Sequence, residues 1–321
     1  MRLLVDSNQT RARYAELVAH CASATVYQAP GWLDVWKHLG AEVVFVDVDS
    51  ETMIPFVCRG HGPFRRAYSL PFDTYGGPVT AGPGTPVLFE RAIEPLGKAS
   101  ARVSDFTAGV ASLNGAARLF SSHIVDLSAG YDAAVSRYGD SNQRLIRQAG
   151  ERGVRIEVVT DPSGIDAFHH LHLRTVARYG ARALPREFFA AVYETLVPAD
   201  LATFYLARRG DEVVAANLVL RFRERAYDWM WVYDDRVAHL RATNLLIDRA
   251  LRDEAGRGTR ELNLGTSPNN RLGSVRFKQS FGAVPFQYTV YAHTMAWIGM
   301  ARVVRSRANR LGARVRLFAG E

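Results

Sequence analysis

With 321 residues the chain has room for two domains of ordinary size, and 48% hydrophobic against 22% charged residues is the balance of a globular protein that folds in water. No run approaches about 18 uninterrupted apolar residues, the opening MRLLVDSNQTRARY turns polar too early for a signal-peptide core, and Cys21 and Cys58 offer neither a disulfide framework nor a metal-ligand spacing, so the expectation is a cytoplasmic chain without redox chemistry. A net charge of +8 invites a polyanion such as RNA, an anionic lipid surface or a phosphorylated ligand.

In chain order, a short apolar start precedes a helix around Tyr14–Val18. Pro30 then opens a second helix with Trp32, Leu33, Trp36 and Leu39 at helical spacing. Strand-like runs follow at Val43–Val48, Thr52–Cys58 and Ala67–Leu70. The loop Pro71–Pro78 holds Gly76 and Gly77 beside Pro78, the composition of a tight, special backbone. A helix over Pro86–Leu96 and strands near Ala101–Phe106 and Ser122–Val125 complete the first half.

The second half opens with a helix over Tyr131–Ala149 whose basic face carries Arg137, Arg144 and Arg147. A strand (Val154–Val159), a helix from Ser163 to Tyr179 and another over Arg186–Leu196 come next. Ala202–Ala207, Glu212–Phe222 and Ala226–Tyr233 read as an antiparallel meander, followed by a helix over Thr243–Ala255. His169, His170 and His172 share one helix but have no partnered Cys or acidic ligand, and no metal is expected. No Gly-x-Ser-x-Gly elbow is present, which disfavours a covalent acyl-enzyme.

The stretch ELNLGTSPNNRLGSVRFKQSFGA, Glu261 to Ala283, organises this half: a short strand, a turn-rich loop with Ser267, a basic helix from about Arg271, and a stop at Gly282. Lys278 lies in that helix after a strand that ends in a polar loop, a position that can face a cleft at the carboxyl ends of a sheet. A last strand covers Pro285–Ala292. The element order is β-α-α-β-β-β-α-β-α-β in the second half and α-β-β-β-α-β-β in the first, which suggests an internal duplication with a site at the junction of two similar units. Beyond it, Trp297, Met300, Val304, Ala308, Leu311, Val315 and Phe318 recur at helical spacing. Six arginines against one acid in residues 301–321 hold five of the eight net charges, so this tail can pack on its own domain, lie on an inner-membrane surface, or meet a tRNA backbone.

The order of elements, with Tyr27–Trp36, Tyr68–Pro78, Arg144–Val154, Leu171–Gly180, Val213–Leu220 and Asn263–Ala283, resembles the FemAB-like, or BioF2-like, branch of the Gcn5-related N-acyltransferase (GNAT) superfamily. The resemblance implies an α/β (α+β) fold of tandem GNAT-like domains, each a mixed, mostly antiparallel sheet flanked by helices. The expected domains are residues 1–128, 129–296 and a basic amphipathic helix over 297–321. It further implies acyl transfer from a carrier to a primary amine of a cell-envelope precursor or natural product. The donor is aminoacyl-tRNA or, alternatively, acyl-CoA, with no resident cofactor and no stable protein partner. The loop Arg236–Thr243 lacks the glycines of a pyrophosphate cradle, which favours aminoacyl-tRNA. A third alternative is a non-catalytic RNA- or membrane-binding adaptor.

Within that resemblance Lys278 is expected to stabilise the oxyanion or to grip a donor phosphate. Asp228, on the strand beside the acyl carbonyl with Trp229, Trp231 and Tyr233, is expected to orient the amine or merely to open the strand. Asp73 and Tyr75 are candidates for the acceptor site, Arg144 and Arg147 for a substrate phosphate, and Ser267 for substrate contact. Arg236, Arg241 and Arg271 are candidates for donor phosphates. Asn244 falls at a helix start, where it can cap or bind an anion. Asn263 stands where the family often carries an acid, which leaves the general base unassigned.

Overall fold

The computed structural model describes residues 1–72, 74–82, 86–115, 117–267 and 272–294. Asp73, Arg271 and the expected helix over 297–321 lie outside the described residues.

The first elements are β1 (Arg2–Val5), α1 (Asn8–His20), α2 (Pro30–His38), β2 (Glu42–Asp49), β3 (Thr52–Arg59), β4 (Arg66–Ser69), β5 (Val79–Thr80) and β6 (Val87–Leu88). They are followed by α3 (Phe89–Ile93), β7 (Ser100–Asp105), β8 (Val110–Ala111), β9 (Ala117–Asp126), α4 (Tyr131–Val135), α5 (Asp140–Glu151), β10 (Val154–Val158) and α6 (Ser163–Tyr179). The last are α7 (Arg186–Leu196), β11 (Ala202–Arg209), β12 (Glu212–Phe222), β13 (Arg225–Tyr233), α8 (Ala242–Gly256), β14 (Glu261–Thr266), α9 (Leu272–Gln279) and β15 (Val284–His293).

The chain divides into two compact units. The first takes residues 1–21, 42–118 and the chain from Thr289; the second takes 22–41 and 119–288. A linear cut near residue 128 does not follow this division, because the α2 segment groups with the second unit. The reason is aromatic packing: Trp32 and Trp36 are wholly buried, and both rings pack on Phe188 of α7.

In the first unit β1, β2, β3 and β4 pair antiparallel in that order, β4 pairs parallel with β7, and β7 pairs antiparallel with Thr289–His293 of β15. Residues 52–58 of β3 are all buried, as in a strand covered on both faces. Val44, Val46, Ile54, Phe56, Phe89 and Val103 lie in its core. The helix expected over 86–96 is shorter. Val87 and Leu88 pair with Val110 and Ala111, and after α3 the chain tightens into a 3₁₀ turn over Glu94–Leu96, where Pro95 has no N–H to extend an α ladder.

The second unit repeats the plan. Its strands β10, β11, β12 and β13 pair antiparallel, β13 pairs parallel with β14, and β14 pairs antiparallel with β9. On β11, Phe204 packs against Phe168 of α6, while the hydroxyl of its neighbour Tyr205 reaches Asp253 of α8 at 3.1 Å. Successive strand residues point to opposite faces, so α6 covers one face of the sheet and α8 the other. The helix expected over 131–149 is broken between α4 and α5, since Gly139 is extended and donates its N–H to the Ser280 carbonyl at 3.0 Å. Among the described residues no helix is long and apolar enough to cross a membrane.

Candidate active site

The parallel ladder between β13 and β14 has three rungs, Arg225–Glu261, Ala226–Leu262 and Tyr227–Asn263, and then stops while both strands run on. Asp228 is the first residue past the last rung. Two irregularities flank it. The β12–β13 register slips between Leu218–Met230 and Val219–Asp228, leaving Trp229 as an extra residue. The β9–β14 register slips between Ile124–Asn263 and Ser122–Thr266, so that Leu264 and Gly265 stand opposite the single residue His123. Bulges of this kind re-aim side chains. Gly265 carries a φ of +76°, open to glycine at little cost, and a Cβ there would lie 4.0 Å from the Lys278 ammonium.

Lys278 is 3% exposed and its Nζ donates to the carbonyls of Gly265 and Thr266 at 2.8 and 3.0 Å. Burial pushes its pKa down to about 8, against the pull of the Asp228 charge. Asp228 is 1% exposed, and neither carboxylate oxygen has a hydrogen-bond partner. Burial raises its pKa to about 7; the Lys278 charge and then the adjacent Asn217 amide, which stops short of a hydrogen bond, oppose the rise. His123 is buried with Nδ1 unpartnered, and first burial and then the Lys278 charge hold its pKa below the ordinary histidine value. Asn263 pins the bulge: its Oδ1 accepts from Ser122 Oγ at 2.6 Å and from the Gly265 N–H at 2.7 Å. Ser267 shares a hydrogen bond of 3.0 Å with Ser274 of α9.

Residues 140–279, which contain this cluster apart from the β9 residues, match the family model of the acetyltransferase (GNAT) domain. Residues 140–279 are a GNAT acyltransferase domain. Similar solved structures cover nearly the whole length. FemX is 12% identical over 90% of this chain and 97% of its own, with a TM-score of 0.62. L-PGS from Bacillus licheniformis is 12% identical over 94% and 97%, with a TM-score of 0.58. A tandem GNAT protein from the clavulanic acid biosynthesis pathway is 13% identical over 91% and 97%, with a TM-score of 0.52. The fold is thus of the FemAB-like, tandem GNAT kind. No curated protein matches the sequence.

The GNAT domain gathers Lys278 and Asp228 and distributes the other expected residues elsewhere. The half-buried Trp229 ring is packed edge-on against Trp32 and tilted against Phe188. Tyr233, at the end of β13, lies under the Arg178 guanidinium at 4.3 Å. Asn244 donates to Asn142 Oδ1 at 2.8 Å and so ties α8 to α5 in place of an anion. Arg236 is engaged by Asp234, which also holds Arg174 through two bonds of 2.7 and 2.8 Å. Arg241 is exposed, with a left-handed φ of +59° just before α8. Arg144 and Arg147 are exposed on α5. Tyr75 belongs to the first unit, where it is buried against Phe106 with ring centroids 4.2 Å apart.

Of the histidines on α6, His172 accepts the Leu184 N–H at 2.9 Å and burial lowers its pKa to about 4. The described residues hold no metal-ligating cluster of three. Sequence reasoning missed His123 and Asn217. The only available signal was a polar residue at an inward position in an apolar strand, His123 between Ser122 and Ile124 and Asn217 between Ala216 and Leu218.

Proposed function

We propose that this GNAT enzyme forms an amide by moving an aminoacyl group from aminoacyl-tRNA directly onto a primary amine of a cell-envelope precursor or natural product. The observation that carries the reading is the buried, unpartnered Asp228 carboxylate set beside the buried Lys278 ammonium where the β13–β14 ladder stops. An uncompensated carboxylate is costly in a core and accepts from the N–H of a neutral amine. An ammonium has three donors, and two of those on Lys278 are taken by Gly265 and Thr266, which leaves one for the developing oxyanion. In this mechanism Asp228 orients the neutral acceptor amine, its lone pair attacks the donor carbonyl carbon, the C–N bond forms, the ester C–O bond breaks, and one N–H proton ends on the departing oxygen, which leaves as a hydroxyl.

Arg241, Arg236 and Arg271 are assigned to the donor phosphates, with Arg144 and Arg147 on α5 for a phosphate of the substrate. Ser267 and Tyr233 are assigned to its neutral parts, and the basic tail over 301–321 to the tRNA backbone or a membrane surface. Acyl-CoA-dependent N-acetylation is the second reading, favoured by the acetyltransferase description of the matching family. The test is affinity for pooled aminoacylated tRNA against the same pool deacylated, at near-physiological salt. Preference for the charged pool supports the aminoacyl donor. Equal, strongly salt-dependent binding reports only phosphate contacts and moves the assignment to acyl-CoA.

A further inference from the structure

His123 is a buried titratable group to which the proposed transfer assigns no task. Its position is built: the β9–β14 bulge sets it opposite Leu264 and Gly265, Asn263 pins that bulge through Ser122 and the Gly265 N–H, and Lys278 donates to the Gly265 carbonyl from α9. Burial first and the Lys278 charge second lower the imidazole pKa, and the Gly265 backbone opposes them. The His123 Nδ1 has no partner and is open to take a proton.

We propose that His123 is the proton acceptor of the acyl transfer, taking the proton that the acceptor nitrogen sheds as the C–N bond forms. The inference rests on the acyl-transfer reading above. As the amine attacks, one N–H proton passes to Nδ1, directly or through one water. As the C–O bond of the donor ester breaks, the proton passes on to the departing oxygen, which leaves as a hydroxyl, and the imidazole returns neutral. The two charged neighbours are unsuited to this step. The Lys278 ammonium gives two donors to carbonyls and its third is assigned to the oxyanion, while Asp228 is assigned to hold the acceptor nitrogen. The charged groups that bear on the imidazole are Lys278 from α9 and, through it, Asp228 from β13.

Two measurements on the full chain test this. In protein labelled with ¹³C-histidine, the His123 resonance is identified by its loss in His123→Gln. Its midpoint is expected below that of an ordinary histidine, and to rise in Lys278→Met. A midpoint that is ordinary and unmoved by Lys278→Met overturns the proposal. In the second, transfer to glycinamide is followed from ¹⁴C-aminoacyl-tRNA and, separately, ¹⁴C-acetyl-CoA. His123→Gln is expected to lower kcat by about 10²–10⁴-fold with KM little changed, to abolish the acid limb of the kcat–pH profile, and His123→Ala to regain activity with added imidazole. Wild-type turnover with an unaltered kcat and acid limb in His123→Gln overturns the assignment of His123 alone. Absence of wild-type turnover from both donors overturns the acyl-transfer reading as well, and leaves the titration as an independent report on the cluster.

Discussion

The Lys278 ammonium and the Asp228 carboxylate influence each other's charge but close no salt bridge: the ammonium is spent on the Gly265 and Thr266 carbonyls, and both carboxylate oxygens are left without a partner. A buried pair that binds its own partners fully contributes little to catalysis. This pair keeps one member uncompensated, a cost in stability that a site can use.

That cost is measurable. The Asp228 pKa is raised to about 7 from an ordinary 3.8, so between these values the folded protein holds a proton that the unfolded chain has released. Stability from this group is therefore present below pH 4, falls as pH rises through 7, and stays lost above. Asp228→Asn is expected to stabilise the protein at pH 8 by on the order of 2–4 kcal/mol, with the gain shrinking towards zero at pH 4. Thermal melts at both pH values decide it; an equal shift at the two would place the cost elsewhere.

Lys278→Met removes the donor to two carbonyls and the remaining N–H proposed for the oxyanion. The expected loss in kcat is about 10²–10³-fold, the scale of a single oxyanion donor, with the far-ultraviolet circular dichroism retained. Lys278→Arg should not restore it, because a planar fork cannot reach the same two carbonyls in the same space. Full activity in either variant would remove Lys278 from the mechanism.

Arg241 offers a way to separate charge from fold. Its φ of +59° is strained for any residue with a Cβ, so Arg241→Gly is expected to raise stability by up to about 1 kcal/mol. If its guanidinium meets donor phosphate, the same change reduces the salt slope of tRNA binding by about one unit. A steeper or unchanged slope would show that the arginine does not touch the nucleic acid.

The division of the chain predicts where it can be cut. A fragment covering 129–321 lacks both α2, with Trp32 and Trp36 in the aromatic core, and β9, which pairs with β14. It is expected to aggregate on expression, and Trp32→Ala in the full chain to cost about 3–5 kcal/mol. A soluble, cooperatively melting fragment would contradict the packing described.

What the sequence made legible follows the range of the interactions. Strand alternation and helix periodicity are local, so the run from β10 to β15 reads off the residues almost element by element. Lys278 was legible because strand, loop and helix follow one another within Glu261–Ala283. The break at Gly139 was not, since the bond that stabilises it goes to Ser280, and the membership of Trp32 was not, since its partner is Phe188. His123 acquires meaning only through a register slip against β14, and nothing in its own strand announces that slip.

The first unit takes one of its strands from beyond the second unit's stretch of chain. Thr289–His293 of β15, made after residues 119–288, pair with β7 in the first unit. On the ribosome this imposes a waiting time. The β7 strand emerges early and lacks its β15 neighbour until residues 106–288 have been synthesised, roughly ten to forty seconds at bacterial and eukaryotic elongation rates. During that interval β7 presents an open row of amides and carbonyls, the feature that recruits wrong partners. The nascent first unit therefore stays open along β7 until Thr289–His293 arrive to pair with it.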